Sequence, residues 1–191
     1  MVIGVLALQG AVSEHCRALD SLQVISKEVR NLDDIVGIDG LIMPGGESTT
    51  LRKLLKNTGL WESILECELP ILGTCAGAIL LGKSDDETFQ KMDFTIDRNF
   101  YGRQIDSFED VLEVENYPNF KGVFIRAPAI TDVGKAKPIA YCKSEIVGCV
   151  DGKNMALTFH PELTSDSYFH EMWLRNICLL YTSPSPRDIG E

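Results

Sequence analysis

Residues Pro70 to Leu81 read P-I-L-G-T-C-A-G-A-I-L-L. An apolar run halts at Gly73, a thiol follows at Cys75, a second glycine at Gly77, and a helix-forming run begins. The spacing predicts a strand-turn-helix elbow with Cys75 at its tip. A Cβ at either glycine would crowd the bend, which holds the middle residue in strained backbone geometry. The logic is that of the G-x-S-x-G elbow, with sulfur in place of oxygen. A thiol at a helix N-terminus feels the positive end of the macrodipole, which favours the nucleophilic thiolate. The alternative is a buried structural cysteine, the usual fate of a free thiol.

Residues Met155 to Leu163 read M-A-L-T-F-H-P-E-L. A β-type run delivers His160, and Pro161 biases it toward extended backbone. In an extended chain positions i and i+2 project to the same side. Glu162 can then accept a hydrogen bond from one ring nitrogen of His160 and leave the other free to take a thiol proton. A nucleophile, a base and an orienter are what acyl transfer by a cysteine requires. The alternative is a loop with a solvated charge.

The loop Pro44-Gly45-Gly46-Glu47-Ser48-Thr49-Thr50 follows a strand and opens a helix. A phosphate cradle is one reading, but the Walker spacing and its lysine are absent. A better one is that backbone N–H groups near Gly46, with that of Ala76, bind the oxyanion of a tetrahedral intermediate. Ser48 or Thr49 can serve as helix N-cap in either case.

The elements that would position these groups alternate. Val2–Leu8, Val24–Val29, Asp39–Met43 and Leu69–Leu72 read as buried strands. Ser13–Leu22, Thr49–Leu55 and Leu60–Leu65 read as helices. Strand and helix in alternation predict a doubly wound, mostly parallel α/β sheet with helices on both faces, flavodoxin-like. Ligands in such sheets bind at the carboxyl ends of strands, where Gly46 and Cys75 both fall. Lys83–Gln90 is polar and loop-like. Segments 93–97, 108–115, 121–126, 138–142 and 145–150 predict a small antiparallel excursion in the second half. Ser165–Leu180 reads as a closing helix with its cap at Thr164 or Ser165. His170 on that helix lacks the second histidine of H-E-x-x-H and reads as a surface or packing residue. Residues 1–180 read as one domain, and 181–191, with Pro184 and Pro186, as a flexible, non-native-looking tail outside the fold.

The chain has 191 residues and a formal net charge of −10. That balance offers no basic stripe for nucleic acid or an anionic membrane. No run approaches a membrane span, and the apolar N-terminus lacks a basic flank and a cleavage site. The six cysteines, Cys16, Cys67, Cys75, Cys142, Cys149 and Cys178, form no C-x-x-C. With no histidine pair at ligand spacing, no metal site is expected. Reduced thiols in a chain with a full-sized core point to the cytoplasm, five of them being packing residues.

The chain resembles the class I (triad-type) glutamine amidotransferases, and more narrowly the glutaminase subunits of pyridoxal 5′-phosphate synthases. The blocks G-V-L-A-L-Q-G-A-V-x-E-H at 4–15, G-L-I-M-P-G-G-E-S-T-T at 40–50 and G-T-C-A-G-A-I-L-L at 73–81 carry the resemblance. So do R-N-F-Y-G-R-Q-I-D-S-F at 98–108, G-V-F-I-R-A-P at 122–128 and F-H-P-E-L-T at 159–164. The stretch Lys83–Ile96 departs from it, being short and polar where the family carries a more apolar segment. The resemblance implies that Cys75 is the nucleophile, His160 the base and Glu162 its orienter. It implies that Gly46, Glu47, Ser48, Arg98, Ile125 and Arg126 bind L-glutamine. Gln9 would complete the oxyanion hole with Gly46 and Ala76 when a partner docks. The substrate is consistent with those types, since a free amino acid calls for a guanidinium and a carboxylate. Spacing does not choose among Arg98, Arg103 and Arg126. The implied partner is the barrel-shaped synthase subunit in a hetero-oligomer, with no cofactor on this chain. Rival readings are a glutaminase serving a histidine or purine synthase, and a non-catalytic binding or redox-sensing subunit. A peptidase fits less well, because Glu47 and the arginines suit a free amino acid.

Overall fold

In the computed structural model, residues 1–100 and 107–182 are described. The first half runs β1 (Val2–Leu6), α1 (Val12–Ser21), β2 (Ile25–Val29), β3 (Gly40–Met43), α2 (Ser48–Asn57), α3 (Leu60–Glu66), β4 (Ile71–Thr74) and α4 (Ala76–Leu81). Then come β5 (Thr95–Asp97), β6 (Ser107–Val114), β7 (Phe120–Ile125), β8 (Ala129–Asp132), β9 (Lys137–Cys142), β10 (Glu145–Asp151), β11 (Asn154–Leu157) and α5 (Tyr168–Thr182). A 3₁₀ turn at Pro161–Leu163 lies between the last two.

A nine-stranded sheet is ordered β2-β1-β3-β4-β11-β10-β9-β6-β7. The first five strands pair in parallel and the rest antiparallel. The doubly wound architecture expected from the sequence is present. Its antiparallel half does not stand apart; four of those strands extend the same sheet. Only β5 and β8 form a separate ribbon.

Alternation along the strands builds two apolar layers. Leu41 and Met43 of β3, Ile71 of β4 and Ala156 of β11 face one layer, which α2, α3 and α4 cover with Leu51, Leu55, Leu60, Ile64 and Leu80. Ile42, Leu72, Met155 and Leu157 face the other, covered by Leu19 of α1 and Phe169, Trp173 and Ile177 of α5. At the centre, Met43 and Ala156 flank Gly73 in register. The site loops therefore leave the carboxyl ends of three adjacent strands, β3, β4 and β11.

The stretch after α4 is loop-like, as expected, and it carries Phe89, Met92 and Phe94 into the core, with Phe89 stacked on Trp61 at 4.1 Å. Three expectations need correction. Strand β8 is an element that the sequence reading did not contain. Helix α5 starts three residues late, because Asp166 Oδ1 accepts from the N–H of Tyr168 at 3.0 Å and Thr164 closes a turn of its own. It also runs through Thr182, two residues into the expected tail; residues 183–191 lie outside the described ones. Of the cysteines expected to pack, Cys142 and Cys149 are buried, whereas Cys178 is exposed. Among the described residues no helix is long and apolar enough to cross a membrane.

Candidate active site

Cys75 sits between β4 and α4 with φ +52° and ψ −107°. Positive φ in a residue with a Cβ is strained, and the surroundings enforce it. A Cβ on Gly73 would lie 2.5 Å from the carbonyl oxygen of Gly77, and one on Gly77 would overlap the carbonyl oxygen of Met43. The Cys75 N–H donates to the carbonyl of Leu157 at 2.8 Å, tying the elbow to β11. The thiol is 4% exposed and points toward the carbonyl oxygen of Ile125 at 3.7 Å.

His160 arrives at the end of β11, its N–H donating to the carbonyl of Val123 at 2.8 Å. The backbone stays out of the α region, as Pro161 requires. The chain beyond it is not extended, however: Pro161–Leu163 closes a 3₁₀ turn. The turn, rather than strand periodicity, sets Glu162 beside His160. Nδ1 of His160 lies 2.6 Å from Oε1 of Glu162, which is 5% exposed. Burial works against a charged ring, but the side-chain interactions with Cys75 and then Glu162 outweigh it and push His160 up to about 10. The ring is therefore placed to hold a proton at neutral pH.

Gly45 closes this space from the third strand. A Cβ there would lie 2.5 Å from Cε1 of His160, 3.3 Å from its Nε2 and 3.0 Å from the Cβ of Cys75. A side chain at this position would wedge the Cys75 and His160 side chains apart. The sequence reading had placed weight on Gly46 and overlooked Gly45, whose signal was only its place in the P-G-G run. Gly46 itself has φ +133° and lies under the side chain of Gln9, whose Nε2 donates to the carbonyl of Glu47 at 3.0 Å.

Charged groups gather around the loop that opens α2. The carboxylate of Glu47 caps α2, accepting from the N–H groups of Thr49 at 3.0 Å and Thr50 at 2.8 Å. Partial burial pushes against it, yet these hydrogen bonds hold Glu47 below the usual carboxylate range. Ser48 is buried in the first turn of α2. Arg98 reaches the same loop, donating to Thr49 Oγ1 at 2.6 Å and pairing with Glu47 at 3.5 Å and Asp86 at 3.6 Å. Thr49 and Asp86 went unrecognised as its anchors because partners far apart in sequence leave no local signal. Ile125 stands on the far side of the thiol, followed by Arg126 at φ +43°. Ala76 begins α4 beside the thiol. Arg103 lies outside the described residues. Chemically, the arrangement offers a thiol, an imidazole and its carboxylate, with Glu47 and Arg98 paired across two segments.

The profile of the SNO glutamine amidotransferase family matches residues 5–179. Among curated relatives, the "Pyridoxal 5′-phosphate synthase subunit PdxT" of Methanocaldococcus jannaschii is 48% identical over 173 residues, 88% of this chain and 93% of that one. The same-named subunit of Methanocorpusculum labreanum is 45% identical over 185 residues, 93% of this chain and 98% of the other. Among solved structures, one described as a glutamine amidotransferase superposes with a TM-score of 0.86 at 40% identity, covering 93% of this chain and all of its own.

Proposed function

The chain belongs to the SNO glutamine amidotransferase family, and from that premise we propose that it is the glutamine-hydrolysing subunit of a pyridoxal 5′-phosphate synthase. It is a glutamine amidohydrolase that releases glutamate and ammonia. The observation that carries this reading is the meeting of Cys75, His160 and Glu162 at the ends of adjacent strands, in a chain 45–48% identical to subunits of that name.

The Cys75 thiolate attacks the side-chain amide carbon of L-glutamine. The C–N bond then breaks as the His160 imidazolium gives its proton to the departing ammonia, leaving a glutamyl thioester. Neutral His160 takes a proton from water, whose oxygen attacks the thioester; the C–S bond breaks, restoring the thiolate beside the His160 imidazolium, and glutamate leaves with its acid proton lost to solvent. Glu162 keeps the ring oriented and stabilises its charged form. Backbone N–H groups of Gly46 and Ala76 receive the oxyanion, with Gln9 completing that cradle. Arg98 and Glu47, with Arg126, Ser48 and the backbone of Ile125, meet the carboxylate and ammonium of the amino acid.

Ammonia freed into water at neutral pH is protonated and loses its nucleophilicity. It therefore passes through a shielded path to a barrel-shaped synthase subunit, in a cytoplasmic hetero-oligomer. The test is glutamate release by the purified chain with that partner. Cys75→Ala is expected to abolish it, and full retention would remove the proposal.

A further inference from the structure

The chain contains three histidines, and all three lie in one buried row. Nδ1 of His160 is 2.6 Å from Oε1 of Glu162. On the other side of that carboxylate, Nε2 of His15 is 3.5 Å from Oε2. Nδ1 of His15 is in turn 2.8 Å from Nε2 of His170. His15 comes from α1 and His170 from α5, and neither has exposed surface. The mechanism above uses only the first of these rings.

The chemistry of the groups leaves one arrangement of hydrogens. A carboxylate accepts and does not donate, so the nitrogens facing Glu162 must carry hydrogen: Nδ1 of His160 and Nε2 of His15. Burial, and after it the neighbouring rings of His170 and His160, holds His15 neutral, well below the usual histidine range. Burial likewise brings His170 down to about 4. A neutral ring has one N–H. That of His15 faces Glu162, so its Nδ1 accepts and Nε2 of His170 donates. Every N–H in the row then points toward Glu162.

We propose that His15, braced by His170, is a positioning residue for the triad: it donates Nε2–H to Oε2 of Glu162 and so fixes the carboxylate that orients His160. Neither Nε2 of His15 nor Oε2 of Glu162 has a hydrogen-bond partner among the described residues, and Nδ1 of His170 at the end of the row has none either. Shortening their contact satisfies both atoms at once, and a buried polar atom left unpaired is costly. With only one of its oxygens held, the carboxylate would be able to swing about the 3₁₀ turn and carry the His160 ring with it.

The inference rests on Cys75, His160 and Glu162 acting as the triad. In the complex with the synthase partner, His15→Leu is expected to lower kcat for glutamine hydrolysis roughly 10- to 100-fold, as loss of such supporting partners does. KM for glutamine should stay unchanged. His15→Gln, whose amide can offer an N–H near the Nε2 position, should restore most of the rate. In the unsubstituted chain, ring ¹⁵N shifts should report His15 as a neutral Nε2–H tautomer from about pH 6 to about pH 9. A folded His15→Leu chain with unchanged kcat, a Gln variant no better than Leu, or an Nδ1–H tautomer would each overturn the proposal. If His15→Leu does not fold, the tautomer decides alone. Failure of the triad itself would be read separately, as activity retained by Cys75→Ala.

Discussion

The ring of His160 lies against Gly45 more closely than any residue with a side chain at position 45 would permit. A Cβ there would sit 2.5 Å from Cε1 of the ring and 3.0 Å from the Cβ of Cys75. The missing side chain is what lets the His160 ring and the Cys75 side chain share one space. Gly45→Ala is expected to displace the ring and lower kcat about 100-fold, the scale on which a misplacement of about 1 Å acts. The circular dichroism spectrum should be unchanged. Steady-state glutamine hydrolysis with the partner present checks this, and an undiminished kcat would show that the ring does not need that space.

After Cys75, Glu162 is the second group that raises the proton affinity of His160. Glu162→Gln removes the charge and turns one acceptor into a donor. The expected loss in kcat is roughly 10²- to 10⁴-fold. The His160 titration, followed by NMR, should fall from about 10 toward the ordinary histidine range. An unmoved midpoint would show that the carboxylate does not set the state of the ring.

Stability should depend on pH with opposite signs for the three histidines. The folded chain raises His160 from 6.5 to about 10, so its contribution is full below 6.5 and is lost as pH rises through 10. His170 is lowered from 6.5 to about 4, so folded chain resists its protonation and stability falls as pH drops from 6.5 toward 4. His15 acts in the same sense as His170. Thermal unfolding should show the highest Tm between these limbs. His160→Ala should flatten the alkaline limb and His170→Phe the acid one. The reverse assignment would contradict the site's electrostatics.

Glu47 has two tasks, capping α2 and pairing with Arg98. Glu47→Ala should cost about 1 kcal/mol of stability, as loss of an N-cap does. It should also raise KM for glutamine about tenfold while changing kcat less than about threefold, the pattern of lost ground-state binding. Arg98→Ala should show the same kinetic split with a smaller change in Tm. A fall in kcat alone would move both residues out of substrate recognition.

The elbow was legible because its requirements are local. Gly73, Cys75 and Gly77 lie within five positions, and each glycine answers a contact that a Cβ would violate. His160 and Glu162 were legible as a pair, but for a different geometric reason: a 3₁₀ turn places them together, not an extended strand. The row from Glu162 to His15 and His170 was not legible. His15 and His170 stand 155 positions apart, and only the packing of α1 and α5 on one face of the sheet joins them. The anchoring of Arg98 on Thr49 and Asp86, and the pairing of β8 with β5, are tertiary in the same way. The burial of Phe89 was hidden by the charged residues around it, since no periodicity marks an irregular segment folded back onto the core.

The proposed function stands on Sγ of Cys75 as the atom that attacks glutamine. An electrophilic glutamine analogue, incubated with the chain and its synthase partner and followed by peptide mass spectrometry, tests it most directly. A single adduct on Cys75 is expected, suppressed by excess glutamine and lost in His160→Asn. Adducts on Cys178 or another thiol with Cys75 unmodified, or labelling of Cys75 that glutamine leaves untouched, would contradict it.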